Sequence, residues 1–276
     1  MAVGNVTVNG VRLAYEVSGE GDPVVLIAGT GMSGNEWEVL GAGALRAAGF
    51  QVIVFDNRGV GASDGPPGPY SVADMAADTL GLVEALGLGP VAIVGNSLGG
   101  YIGQTLAAAH PELVSALVLW VAAGRTPAFF RRLMEVEAEL RSRGPLPDSW
   151  YLWQYLLISL PFPVLQHDDV VVEGVAELLA AGITWSGDGC AGQFAADVEW
   201  DVLDRDDLES QIRCPALVVA HELDIIHPPA AARAAAAAME RATYIEIPGL
   251  AHGQALDAVA VVIPQIVAFL RDAQAT

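Results

Sequence analysis

Residues 91–100 read Val-Ala-Ile-Val-Gly-Asn-Ser-Leu-Gly-Gly, an apolar run that stops at a Ser framed by glycines. An uninterrupted run of small, mostly β-branched residues forms a buried strand, and the Leu- and Ala-rich stretch from Tyr101 to His110 has the composition of a helix. Ser97 therefore sits on a sharp strand-to-helix turn. Such a turn strains the Ser backbone and presses the helix against the strand, so small residues are needed two before and two after it. Gly95, Gly99 and Gly100 supply them. The turn exposes the Ser97 hydroxyl at the carboxyl end of a sheet and aims the backbone N–H groups that follow at whatever the hydroxyl attacks.

The flanking sequence extends this unit in both directions. Val6 to Val8 and Val11 to Val17, joined by Asn9-Gly10, read as a hairpin. Val24 to Ala28 is a buried strand that empties into the glycine-rich loop Gly29-Thr30-Gly31-Met32-Ser33-Gly34. A helix over 40–48 leads to a strand at Gln51 to Phe55, then to the loop Asp56-Asn57-Arg58-Gly59-Val60-Gly61-Ala62-Ser63. Ser71 caps a helix over 72–86, and Leu117 to Val121 is another buried strand. Alternation of strand and helix implies an α/β fold with a mostly parallel sheet covered on both faces, whose sites form at the carboxyl ends of the strands.

From about Gly124 the strands cease. Residues 124–207 read as a mostly helical insertion rich in aromatics, among them Trp150, Tyr151, Trp153, Tyr155, Phe162 and Trp185, and 1–123 with 208–276 form the core. The insertion is placed over the site as a lid, with Met32, Trp150, Trp153, Tyr155 and Trp185 as candidate pocket residues. The sheet pattern resumes at Pro215 to Ala220 and at Thr243 to Ile247, and Leu256 to Ala273 closes the chain as a helix.

Charge narrows the partners. There is no Lys, 13 cations face 33 Asp and Glu, and the formal net charge of −20 argues against nucleic acid or an anionic membrane surface. No run of about 18 apolar residues is present, and the first residues have neither the basic start nor the apolar centre of a signal peptide. A cytoplasmic enzyme acting on a small molecule is expected, with a homodimer allowed. Cys190 and Cys214 are too few for a disulfide framework and fit a reducing compartment.

A Ser hydroxyl is a weak nucleophile at neutral pH. It needs a neutral His to take its proton, and that His needs a carboxylate to hold its tautomer. Asp224 follows the strand at 215–220 and His252 follows the strand at 243–247, each at an independent strand exit. With the elbow, the 56–63 loop, the segment from Pro215 to Asp224 and Ile247-Pro248-Gly249-Leu250-Ala251-His252, the chain resembles the lid-bearing, Ser-His-Asp branch of the α/β-hydrolase superfamily over essentially its whole length. That resemblance implies Ser97 as nucleophile, His252 as general base, Asp224 as its orienting acid and the Leu98 N–H as one oxyanion donor. Thr30 N–H is expected as the second donor, with Gly31 next. The superfamily usually has His-Gly after the strand at 24–28, whereas Ala28-Gly29 stands here, which alters the support of that loop.

Other residues compete for these roles. Glu222 comes too soon after its strand to replace Asp224. His221 and His227 flank the acid and read as supporting groups, since a base should arrive from a separate segment. Asp56 and Arg58 read as a structural network. Asp224, His221 and His227 lack the spacing of a three-ligand metal site, so neither metal nor cofactor is assigned. A Ser at the elbow disfavours chemistry that needs a carboxylate nucleophile. The leading expectation is hydrolysis of an ester, lactone or thioester of a bulky, largely apolar molecule through an acyl-enzyme, in the manner of carboxylesterases, enol-lactonases and the polyketide methyl esterases of secondary metabolism. Asn96 before the Ser also suits carbon–carbon bond hydrolysis of a ring-cleavage dienone, although Gly253 stands where that subgroup often has Trp. A cyclase, lyase or binding member of the fold is the reading from a different class, and cofactor-free haloperoxidase chemistry uses the same triad.

Overall fold

A computed structural model describes residues 1–274 apart from 142, 145, 183, 203–206 and 254–255. Its elements are β1 (Ala2–Val8), β2 (Val11–Ser18), β3 (Asp22–Ile27), α1 (Trp37–Leu40), α2 (Ala42–Ala47), β4 (Phe50–Phe55), α3 (Val72–Ala85), β5 (Val91–Asn96), α4 (Leu98–Ala109) and β6 (Val114–Trp120). The helices α5 (Ala128–Arg141), α6 (Asp148–Ser159), α7 (Phe162–His167), α8 (Asp169–Gly182), α9 (Gly189–Val202) and α10 (Leu208–Gln211) follow. The chain then runs through β7 (Ala216–His221), α11 (Pro229–Ala238), β8 (Ala242–Ile247) and α12 (Leu256–Gln274).

The strands form one eight-stranded sheet in the order β1-β2-β4-β3-β5-β6-β7-β8. The β1–β2 and β2–β4 pairs are antiparallel and the remaining pairs parallel. Asn9 and Gly10 join the first hairpin with φ of 49° and 75°, the left-handed pair that a tight two-residue turn needs to match the twist of its strands. The β-rich apolar runs are continuous because helices cover both faces. Val25 and Ile27 point into one core with α3, α4 and α11, while Val24 and Leu26 point into a second with α1, α2 and α12.

Ser71 caps α3 as expected, its Oγ accepting from Asp74 N–H at 3.0 Å while Asp74 accepts from Ser71 N–H at 3.0 Å. The expected helix over 40–48 is two pieces, because Gly41 at φ 121° interrupts it. Between β6 and β7 the described residues contain helices and a single bridge, Val60 to Trp185, and no strand of the main sheet. Residues 203–206, next to the expected end of the insertion at 207, lie outside the described residues. Helix α9, for which the sequence offered no expectation, turns out to touch the site.

Candidate active site

Ser97 occupies the one-residue turn between β5 and α4 with φ 48° and ψ −120°, a strained conformation for a residue bearing a Cβ. The glycines explain how the turn closes. A Cβ on Gly95 would lie 2.4 Å from Gly99 O, one on Gly99 would lie 2.1 Å from Ile27 O, and one on Gly100 would lie 2.2 Å from Ala122 Cβ. Helix and strand approach too closely for any larger residue. The Ser97 N–H donates to Trp120 O at 3.1 Å, which ties the elbow to the end of β6.

His252 arrives from the β8 exit, and its Nε2 stands 3.1 Å from Ser97 Oγ. Its Nδ1 stands 2.9 Å from Asp224 Oδ2. The other oxygen of Asp224 accepts from the Ile226 and His227 N–H groups at 2.7 and 2.9 Å. Burial alone would raise the Asp224 pKa, but His252, through charge and hydrogen bond, and His227 outweigh it and hold the carboxyl at about 2. Asp224 is therefore an anion at neutral pH, fixed by backbone donors on one oxygen and presenting the other to the imidazole. Asp224 and His252 are buried, and Ser97 is partly open.

The rival residues have other work. Glu222 Oε2 accepts from Gly249 N–H at 2.8 Å and braces the β8 exit loop. His227 Nε2 contacts Tyr101 Oη at 2.6 Å, and its ring lies 5.9 Å from that of His252. His221 closes β7 and is fully buried. Arg58 forms a two-pronged pair with Asp78 at 2.6 and 2.7 Å, and Asp56 accepts from the Gly34 and Ala62 N–H groups at 2.8 Å each, so both are structural. Among the described residues no group of three or more His, Cys, Asp or Glu is arranged to hold a metal ion.

The loop after β3 packs against the elbow. A Cβ on Gly29 would meet Ser97 Cβ at 3.4 Å and Asn96 Oδ1 at 3.0 Å. Leu98 opens α4, so its N–H is one of the amides that a helix start leaves without an intrahelical partner. Gly31 N–H, the alternative to Thr30 N–H in the sequence reading, donates to Gln193 Oε1 at 2.8 Å and is committed inside the protein.

The candidate pocket aromatics separate into two groups. Tyr155 donates its hydroxyl to Thr30 O, and Trp185 crowds Gly31, where a Cβ would lie 3.0 Å from its ring. Met32 lies beside Gly29, its Sδ 3.4 Å from where a Cβ there would sit. Trp150 and Trp153 instead pair with each other at 5.9 Å, and Trp153 is 53 % exposed. Sequence reasoning missed Gln193 and Asp197, which contact the Thr30 loop from α9. Their signal was two polar residues four apart on one helical face among Ala and Phe.

A sequence model of the α/β hydrolase fold matches residues 22–151. The candidate non-heme bromoperoxidase BpoC of Mycobacterium tuberculosis is 35 % identical over 88 % of this chain and 91 % of its own. Its crystal structure superposes with a TM-score of 0.84 at 32 % identity, over 95 % of this chain and 96 % of that one. The candidate carbamate hydrolase RutD of Klebsiella pneumoniae is 30 % identical over 83 % of this chain and 84 % of its own. The enol-lactonase of Burkholderia xenovorans superposes with a TM-score of 0.80 at 26 % identity, over 97 % of this chain and all (100 %) of that one.

Proposed function

The chain belongs to the α/β-hydrolase family, and from that premise we propose that it hydrolyses an ester, lactone or thioester of a bulky, largely apolar small molecule through an acyl-enzyme on Ser97. The single observation that carries this reading is the unbroken relay in which Ser97 Oγ lies 3.1 Å from His252 Nε2 and His252 Nδ1 lies 2.9 Å from Asp224 Oδ2. Ser97 Oγ attacks the carbonyl carbon as its proton passes to His252 Nε2. The oxyanion is received by the Leu98 and Thr30 N–H groups. Collapse expels the alkoxide or thiolate, which takes the proton from His252. Water then attacks the acyl carbon with His252 again as base, releasing the acid and restoring Ser97.

The helices between β6 and β7 act as the cap, and their aromatic content suits an apolar substrate. The enol-lactonase among the similar structures supports a lactone or ester as substrate class. The name of the bromoperoxidase relative favours a second activity on the same site, a bromide- and peroxide-dependent halogenation. The decisive experiment combines fluorophosphonate labelling with turnover of a panel of p-nitrophenyl esters and lactones. Ser97→Ala is expected to abolish labelling and to lower kcat by about 10⁵- to 10⁶-fold. Retained hydrolysis in that variant would overturn the acyl-enzyme.

A further inference from the structure

The peptide unit between Thr30 and Gly31 is gripped at both ends by the cap. Its carbonyl accepts from the Tyr155 hydroxyl, and its N–H donates to Gln193 Oε1 at 2.8 Å. The Thr30 hydroxyl donates to Asp197 Oδ2 at 2.8 Å. Gln193 is itself held, its Nε2 donating to Arg58 O at 2.8 Å, and Arg58 is locked onto Asp78. One peptide plane fixed at its oxygen and its nitrogen, together with a fixed Thr30 side chain, leaves Thr30 little freedom in φ and ψ. The direction of the Thr30 N–H follows from those two angles.

We infer that Tyr155 on α6 and Gln193 and Asp197 on α9 are positioning residues that set the oxyanion hole, so that the cap performs the task left open by Ala28-Gly29 in the core loop. The inference rests on the serine-hydrolase reading, because it takes the Thr30 N–H as a donor to the developing oxyanion.

The worth of an oxyanion donor falls steeply with misplacement, so groups that hold a donor in place act on kcat through it. An anion bonded to the Thr30 hydroxyl would oppose a negative charge forming beside the Thr30 amide. Facing Asp197 are Asp201 on its own helix, Glu137 from α5, the Tyr155 phenol from α6 and the Thr30 hydroxyl of the loop. Burial first, and then Asp201 and Glu137, push the Asp197 carboxyl up to about 8 against the lowering effect of Thr30. Burial likewise holds the Tyr155 phenol well above its usual range, so it remains a donor. The clamp is neutral when the enzyme works at neutral pH and gains a negative charge above it.

The test reads the bimolecular rate constant for fluorophosphonate labelling of Ser97 and the kcat and KM for p-nitrophenyl acetate, from pH 6 to 9.5, in proteins whose thermal melts confirm the fold. Gln193→Ala and Tyr155→Phe are expected to lower the labelling constant and kcat by about 10- to 100-fold with KM nearly unchanged. Asp197→Asn keeps an uncharged acceptor for the Thr30 hydroxyl. Its rate is expected to stay level from pH 7 to pH 9, a range over which the parent declines. Asp197→Ala is expected to be slow at both. If Gln193→Ala does not fold, Tyr155→Phe, which keeps the ring, decides. A labelled parent with unchanged constants in the folded Gln193 and Tyr155 variants, or an Asp197→Asn profile that coincides with that of the parent, overturns the clamp and leaves the serine-hydrolase reading standing. A parent that Ser97 reagents do not label removes both.

Discussion

Trp120 Nε1 donates to His221 Nε2 at 3.0 Å, and this bond assigns the proton on a buried imidazole. An indole N–H can only donate, so His221 Nε2 accepts and the proton sits on Nδ1. That N–H reaches Ala251 O at 2.6 Å, one residue before His252. Burial holds the His221 pKa below its ordinary value, so the ring stays neutral and keeps both bonds. The last residue of β6 thereby reaches, through the last residue of β7, the loop that carries His252.

His221→Phe should leave the Trp120 N–H and the Ala251 carbonyl without partners and release the His252 loop. The expected destabilisation is about 1–3 kcal/mol, with kcat reduced more than KM is changed. Trp120→Phe should act in the same direction, and the double variant should cost less than the sum of the two. Thermal melts and steady-state kinetics measure this; strictly additive losses would show that the two residues act apart.

Asp224→Asn should lower kcat by about 10⁴-fold, since the amide no longer holds the imidazole tautomer. The same residue shapes acid stability. Its folded pKa of about 2 is depressed below that of an unfolded Asp. The stability this contributes is present above the unfolded value near 4 and is lost as pH falls through 2. Denaturant melts between pH 5 and 2 should show a shallower acid limb in Asp224→Asn than in the parent, and parallel limbs would contradict the assignment.

Asp197 has the opposite sign. Its folded pKa of about 8 exceeds the unfolded value near 4, so its stabilising effect is complete below 4 and is lost as pH rises through 8. Across that window the slope is at most about 1.4 kcal/mol per pH unit. Asp197→Asn should match the parent in stability near pH 4 and exceed it at pH 9. A difference that does not grow with pH would show that Asp197 ionises freely in the folded protein.

Ser97→Gly should be inactive and yet more stable. Removing the Cβ relieves a backbone held at φ 48° and ψ −120°, a conformation that costs on the order of 1–3 kcal/mol in a non-Gly residue. A melting temperature raised by a few degrees in calorimetry is the expected result, and a lowered one would mean that the lost bond to His252 outweighs the strain.

The parts of the site that the sequence disclosed are those governed by local rules. The elbow was legible because its backbone demands glycine at 95, 99 and 100, where an added Cβ would strike neighbouring atoms at 2.4, 2.1 and 2.2 Å. Asp224 and His252 were legible because each follows a strand within a few residues, and the hairpin because Asn9-Gly10 accepts two left-handed residues. Helix α9 was not, since its Gly- and Ala-rich sequence carries no strong apolar stripe.

Sequence alone thus determined the α/β order of elements, the serine on the strand-to-helix turn and the residues that follow the two distant strands, because strand exits and tight turns impose their own residue types over short spans. Tertiary structure decided the rest. That Gly31 N–H belongs to Gln193, that Asp197 and Tyr155 hold Thr30, and that Trp120 reaches the His252 loop through His221 are contacts between residues far apart in the chain. A hydrogen bond across such a separation depends on how helices and strands pack, and no local spacing encodes it. The hydroxyl of Ser97 was set by the turn that carries it, whereas the surroundings that would make it reactive were assembled by packing.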